Sequence, residues 1–162
     1  MGPSGRAGAA PVQRLRVTFT KGDPIRFIGH LDVVRLWERA CRRARLPLAY
    51  TLGYTPHPRL QFAAPLALGV TGDAEVLDAF LTARLAPEAF AGRAGATLPP
   101  GCRVVAVREV PLLDPAVSAR LRWAEYRVLA VGEEVSGLRS QVSSPSESAP
   151  GSRWAPAGPQ LH

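Results

Sequence analysis

The sequence predicts an α+β domain of the ferredoxin-like type, β-α-β-β-α-β, with two helices covering one face of an antiparallel sheet. Three observations carry that expectation. Residues 14–20, R-L-R-V-T-F-T, alternate as a half-buried strand does, and residues 30–46 repeat their apolar positions with a helical period. Residues 102–110, C-R-V-V-A-V-R-E-V, form a second strand pattern directly after Pro99-Pro100-Gly101.

Each element follows from local chemistry. In the first strand Leu15, Val17 and Phe19 share one face, and Arg14, Arg16, Thr18 and Thr20 the other. Lys21-Gly22-Asp23-Pro24 is a turn signal, after which Ile25 to Ile28 extend the strand or form a short one. In the helix, Val33, Val34, Trp37, Ala40, Cys41 and Ala44 fall on one face, with Arg35, Arg39 and Arg42 opposite. Asp32 suits the positive N-terminal end, the late arginines suit the C-terminal end, and Pro47 stops the helix. Leu48 to Leu52 reads as the next strand. Gly53 to Pro58 must be a loop, because two prolines lie two apart, and Arg59 to Ala63 can pair back.

Leu66 to Val70 is an extra extended segment. Glu75 to Thr82 reads as a strand of imperfect alternation, with a helix as the other reading. Pro87 opens a second helix reaching about Leu98, weakened by Gly92 and Gly95.

The expected organisation is a disordered extension over 1–13, the domain over 14–113, the start of an incomplete second unit over 114–132, and a disordered tail over 133–162. The strand pattern near Ala124 to Val131 has nothing after it to pair with, and the tail is rich in Ser, Pro and Gly.

Of the 162 residues, 46% are hydrophobic and 20% charged, which is enough for a packed core in the central part. No segment approaches the roughly 20 apolar residues of a membrane span, and the first residues lack a secretory signal, so a cytoplasmic protein is expected. Two cysteines, Cys41 and Cys102, lie far apart in the sequence. They make neither a disulfide framework nor a zinc ligand set, and no metal or cofactor is expected in this chain.

The net charge is +7, and Lys21 is the one lysine among 20 basic residues. Arginine forks suit phosphate and carboxylate, so RNA or an acidic partner enters as a candidate ligand; an arginine-favouring base composition is the plainer explanation of the total. Arg35, Arg39 and Arg42 make a stripe that can follow a phosphate backbone, or a solvated face with Glu38 and Arg42 paired. Arg59 is the arginine expected to touch a ligand, while Arg26, Tyr54 and His57 are expected to shape its pocket. Tyr50, Tyr54 and Phe62 offer stacking surfaces or core. His30 at the helix start reads as structural or as an acid–base group. His57, set between Pro56 and Pro58, reads as a binding residue. His30, Asp32 and His57 together are the catalytic candidates.

The two densest segments are F-I-G-H-L-D-V-V-R (27–35) and G-Y-T-P-H-P-R-L-Q-F (53–62). With Phe19-Thr20-Lys21, Pro24, Arg26-Phe27, Trp37 to Ala40, Arg42-Arg43-Ala44 and Pro65 to Val70, they resemble a bacterial family known only as radical-SAM-linked, over about residues 14–131. The resemblance implies partnership with a separate radical SAM enzyme, on RNA or another macromolecule. This chain has two distant cysteines, whereas a radical SAM cluster needs a compact three-cysteine motif, so the expected role is accessory. Family members continue with a second folded half where this chain has its Ser/Pro/Gly-rich stretch, which a truncated or frame-shifted reading frame explains. The alternatives are an RNA-acting enzyme using His30, Asp32 and His57, and a protein–protein adaptor whose helix arginines meet an acidic surface.

Overall fold

The computed structural model describes residues 9–122 and 124–128. The first unit runs to Arg122, and residues 124–128 belong to a second unit. In order, the first contains β1 (Gln13–Lys21), a 3-10 turn (Asp23–Ile25), α1 (His30–Arg43), β2 (Leu60–Phe62), β3 (Gly72–Leu81), α2 (Pro87–Gly95), β4 (Cys102–Val110) and a short α3 (Val117–Arg120). The sheet order is β2-β3-β1-β4 with every neighbouring pair antiparallel, which is the ferredoxin-like arrangement of an α+β fold.

One face of the sheet carries the core. Leu15, Val17 and Phe19 of β1 and Leu77, Ala79 and Leu81 of β3 meet Val33, Leu36, Trp37 and Cys41 of α1, and Phe90 and Ala94 of α2. Leu36, rather than Val34, completes the buried stripe of α1. Helix α1 ends at Arg43, short of Pro47. The Leu46 N–H donates back to the Cys41 carbonyl, and Arg45 takes a left-handed φ of 51°. This closing turn satisfies carbonyls that the helix end would otherwise leave bare. The Arg93 guanidinium of α2 adds donors to the carbonyls of Ala44 and Arg45, tying the two helices together.

The opposite face departs from expectation. Arg14 and Arg16, placed by alternation on a solvated face, are each 1% exposed, and Asp78 between them is 0% exposed. Their register partners on β3 are Phe80 and Asp78. Residues 111–120 close over this end of the sheet: Arg14 donates to the carbonyls of Asp114 and Pro115, and Val117 is buried. Alternation assigns a residue to a face but does not say what covers it. The first unit thus extends past residue 113.

The second strand also differs. Leu48 and Tyr50 make only isolated bridges, and the ladder strand is Leu60–Phe62. Residues 25–28 make a turn rather than a strand, and α2 stops at Gly95. Residues 124–128 carry no regular hydrogen-bonded structure. Residues 1–8 of the expected extension and all of the expected tail over 133–162 lie outside the described residues. No helix among the described residues is long and apolar enough to cross a membrane.

Candidate functional site

The outer face of α1 exposes Arg35, Arg39, Arg42 and Arg43, at positions that recur along one side of a helix. Arg35 pairs with Asp32 at 3.3 Å, which occupies both side chains in an exposed i,i+3 contact. Glu38 does not pair with Arg42. Its carboxylate lies 3.8 Å from Nδ1 of His57, from the loop that follows. From Arg39 to Gly72 the sequence contains no Asp or Glu, while Arg39, Arg42, Arg43, Arg45 and Arg59 fall within it. Glu38, just before this stretch and turned to His57, is the carboxylate nearest to it on α1, so the outer face from Arg39 to Arg43 is predominantly positive.

That loop is built in an unusual way. The edge beside β3 begins at Pro47, whose carbonyl accepts from Thr82 N–H at 2.8 Å, and continues with Ala49 N–H donating to the Phe80 carbonyl at 2.7 Å. It resumes at Arg59, whose carbonyl accepts from the N–H of the same Phe80 at 3.2 Å, and runs on through Leu60, paired with Ala79, to Ala63. Residues 50–58 are thus looped out of one edge strand. The neck is closed by Arg59 N–H to the Ala49 carbonyl at 2.7 Å and Thr51 N–H to the His57 carbonyl at 2.9 Å. The His57 N–H also donates to Thr51 Oγ1 at 3.0 Å. All of residues 51–57 are exposed; Tyr54 is fully so, beside Gly53 at a φ of +136°, a conformation suited to glycine. Arg59 at the base of the loop lies over the Phe80 ring, 4.2 Å from its centre. Arg26 stacks on exposed Phe27 at 4.5 Å and sits 3.5 Å from Asp23.

A second cluster lies at the start of α1. His30 packs edge-on against Phe62, with ring centres 5.6 Å apart. It lines a small depression with Lys21 and Glu75, walled by Phe19, Val33 and Phe62. Lys21 is 1% exposed, and its Nζ donates to the carbonyls of Arg26 at 3.0 Å and Ala67 at 3.3 Å. Burial lowers the Lys21 pKa, partly offset by Glu75; burial raises that of Glu75, partly offset by Lys21. Sequence reasoning missed this pair as a site. The available signal was that a chain using arginine almost throughout keeps a single lysine, whose compact ammonium is buried against two carbonyls.

The catalytic candidates therefore separate. His30 lies in the depression, Asp32 is exposed against Arg35, and His57 stands over Glu38, which the α-helical rise sets about 12 Å along the axis from residue 30. His57 does not line the depression. Burial pushes both thiols, Cys41 and Cys102, up to about 12, so neither is a thiolate nucleophile near neutral pH. Among the described residues no group of three or more His, Cys, Asp or Glu side chains is placed to hold a metal ion.

The fold and site define a small ferredoxin-like domain with a basic helix face and a braced loop projecting from its sheet edge. The chain belongs to the family described as an uncharacterized protein conserved in bacteria (DUF2344), whose model matches residues 14–150. No curated protein matches the chain.

Proposed function

We propose that this chain is an accessory domain that binds RNA on behalf of a separate radical SAM enzyme. The observation that carries the reading is the outer face of α1, where Arg39, Arg42 and Arg43 stand exposed within a stretch that contains no carboxylate. A polyanion gains from such a surface by releasing its counterions, and arginine forks match phosphate geometry. The partnership rests on the resemblance of the F-T-K, H-L-D, W-E-R-A and P-H-P-R segments to radical-SAM-linked proteins. Two cysteines far apart in the sequence, where a radical SAM cluster needs a compact three-cysteine motif, support a division of labour in which the partner carries the cluster.

The test is an electrophoretic shift with labelled RNA at about 50 and 200 mM salt. Binding that weakens steeply with salt, as neutralised phosphates require, supports the reading. No shift at the lower concentration refutes it.

The depression at His30 favours a second reading, an RNA-acting enzyme. There a desolvated Lys21 and Glu75 flank an imidazole, the kind of constellation in which acid–base groups are tuned. His30→Ala distinguishes the two: a binding module keeps its affinity, and an enzyme loses RNA turnover while still binding.

A further inference from the structure

The edge strand is complete without the loop it carries. Ala49 and Arg59 use the two backbone groups of one residue, Phe80, so excising the residues between them leaves the ladder in register. A connection is not what this loop supplies. Several of its features are held at some expense: a neck closed by backbone hydrogen bonds, two stiffening prolines, a glycine at positive φ, and two large side chains, Leu52 and Tyr54, raised into solvent at its tip. The surroundings select the occupant. The loop has no carboxylate, and His57 leans on α1 at Glu38, one position from Arg39 and one turn from Arg42, whereas Arg59 lies over Phe80 on the other face of the sheet. A fully exposed aromatic ring, on a loop that leans on a helix bearing exposed Arg39, Arg42 and Arg43, complements a ligand with flat faces and a phosphate backbone. A duplex hides its base faces in the stack, whereas a single strand offers them.

We infer that Tyr54 is a stacking platform for an unpaired base, and that the nucleic acid this domain takes is single-stranded. The inference rests on the RNA-binding reading and narrows it. The basic face holds the backbone, and the braced tip admits only nucleotides free to stack.

The experiment compares the whole chain with Tyr54→Ala, Tyr54→Phe, the pair Arg39→Ala and Arg42→Ala, and a variant in which the exposed residues 51–57 are replaced by a short Gly-Ser turn, leaving the Tyr50–Pro58 bridge in place. The probes are an oligouridylate of about 20 nucleotides, longer than the about 4–16 nucleotides of a typical single-strand site, and its duplex with oligoadenylate. Tyr54→Ala is expected to weaken oligouridylate binding about fivefold or more with no change in salt slope, as removal of one stacked base requires. Tyr54→Phe retains affinity, and the loop replacement matches Tyr54→Ala while keeping the far-UV spectrum and melting transition of the parent. The arginine pair instead lowers the salt slope, by about 0.7 for each phosphate no longer neutralised. Unchanged affinity in Tyr54→Ala together with a salt slope that still depends on the arginines overturns the stacking inference and leaves RNA binding standing. Tighter binding to the duplex than to the single strand does the same. No binding of either probe by the parent chain at low salt removes both.

Discussion

Arg14 aims two nitrogens, Nε at 3.1 Å and Nη2 at 2.6 Å, at one oxygen of Asp78, while Arg16 donates to both oxygens of the same carboxylate. One buried negative charge thus serves two buried guanidinium groups. Removing it takes away their shared carboxylate, leaving Arg16 only the attraction of Asp114 and Arg14 only the carbonyls of Asp114 and Pro115, and breaking a buried pair in this way costs about 3–5 kcal/mol. Asp78→Ala is therefore expected to lower the urea midpoint severely against a total stability of about 5–15 kcal/mol for a typical domain. Asp78→Asn keeps the volume and some hydrogen bonds but not the charge, so it falls in between. The triple exchange Arg14→Met, Arg16→Met, Asp78→Leu removes all three charges together. It is expected to recover most of the loss, because well-packed apolar groups replace buried ions at little net cost. A triple variant no more stable than Asp78→Ala would show that the charges themselves hold residues 111–120 in place.

Lys21 and Glu75 make opposite contributions to the pH dependence of stability. The Lys21 pKa lies below its ordinary 10.5 because burial disfavours the ammonium. As pH rises through that lowered value towards 10.5, the folded chain has released a proton that the unfolded chain still binds, so stability rises. Glu75 lies above its ordinary 4.5 because burial disfavours the carboxylate. Between 4.5 and its raised value the folded chain retains a proton that the unfolded chain has lost, so stability falls as pH rises. Glu75→Gln is expected to flatten the acidic limb of the melting-temperature profile and, by removing the charge that partly offsets burial at Lys21, to lower the Lys21 pKa further. Lys21→Met should remove the rise that Lys21 contributes below pH 10.5 and leave the fall set by the buried thiols, while the carbonyls of Arg26 and Ala67 keep their backbone donors, the N–H groups of Gly69 and Val70. Melting temperatures across the pH range for the parent and both variants check the assignment; an acidic limb that survives Glu75→Gln would place it on other carboxyl groups.

The frame is legible where one short segment carries its own periodicity. Leu15, Val17 and Phe19 on β1, the run from Cys102 to Val110 and the arginine face of α1 are local patterns, and the sheet builds on them. What is illegible depends on residues distant in the chain. Nothing near Ala49 or Arg59 reveals that both address Phe80, so local pattern puts the second strand at 48–52 rather than Leu60–Phe62. Arg14 and Arg16 have the spacing of an exposed face, and only the return of residues 111–120 turns it into a buried one. His30 and His57 stand out as candidates by their neighbours in sequence, yet the groups gathered around His30 are Lys21 and Glu75, from two different strands.

Cys41 and Cys102 are both free and buried, and their thiols are pushed from 9.0 up to about 12. A thiol reagent needs both access and thiolate, and the folded chain supplies neither near pH 8. Titration of the native protein with a chromogenic disulfide reagent should therefore stay near zero for minutes and reach two equivalents at once in denaturant. The same shift makes stability fall as pH rises from 9.0 towards about 12, because the unfolded chain ionises first. Prompt reaction of one native thiol would identify a local opening, either at the end of α1 or at the start of β4.

Trp37 is fully buried, edge-on to Phe19 with ring centres 5.0 Å apart, and its Nε1 has no hydrogen-bond partner among the described residues. Two opposing quantities meet at this side chain. Its bulk fills the centre of the core, and truncation to alanine opens a cavity worth about 3–5 kcal/mol. Its N–H, however, is desolvated without return, which costs about 1–3 kcal/mol. Trp37→Phe removes the orphaned donor together with part of the volume, so the two changes offset one another. The expected loss is well below the full cavity cost of Trp37→Ala, because only part of the volume goes and the orphaned donor goes with it. Chemical denaturation of the two variants side by side measures the difference. If Trp37→Phe proved as damaging as Trp37→Ala, the indole N–H would have to be bonded in solution, with a buried water as the acceptor and the core wetter than its apolar lining suggests.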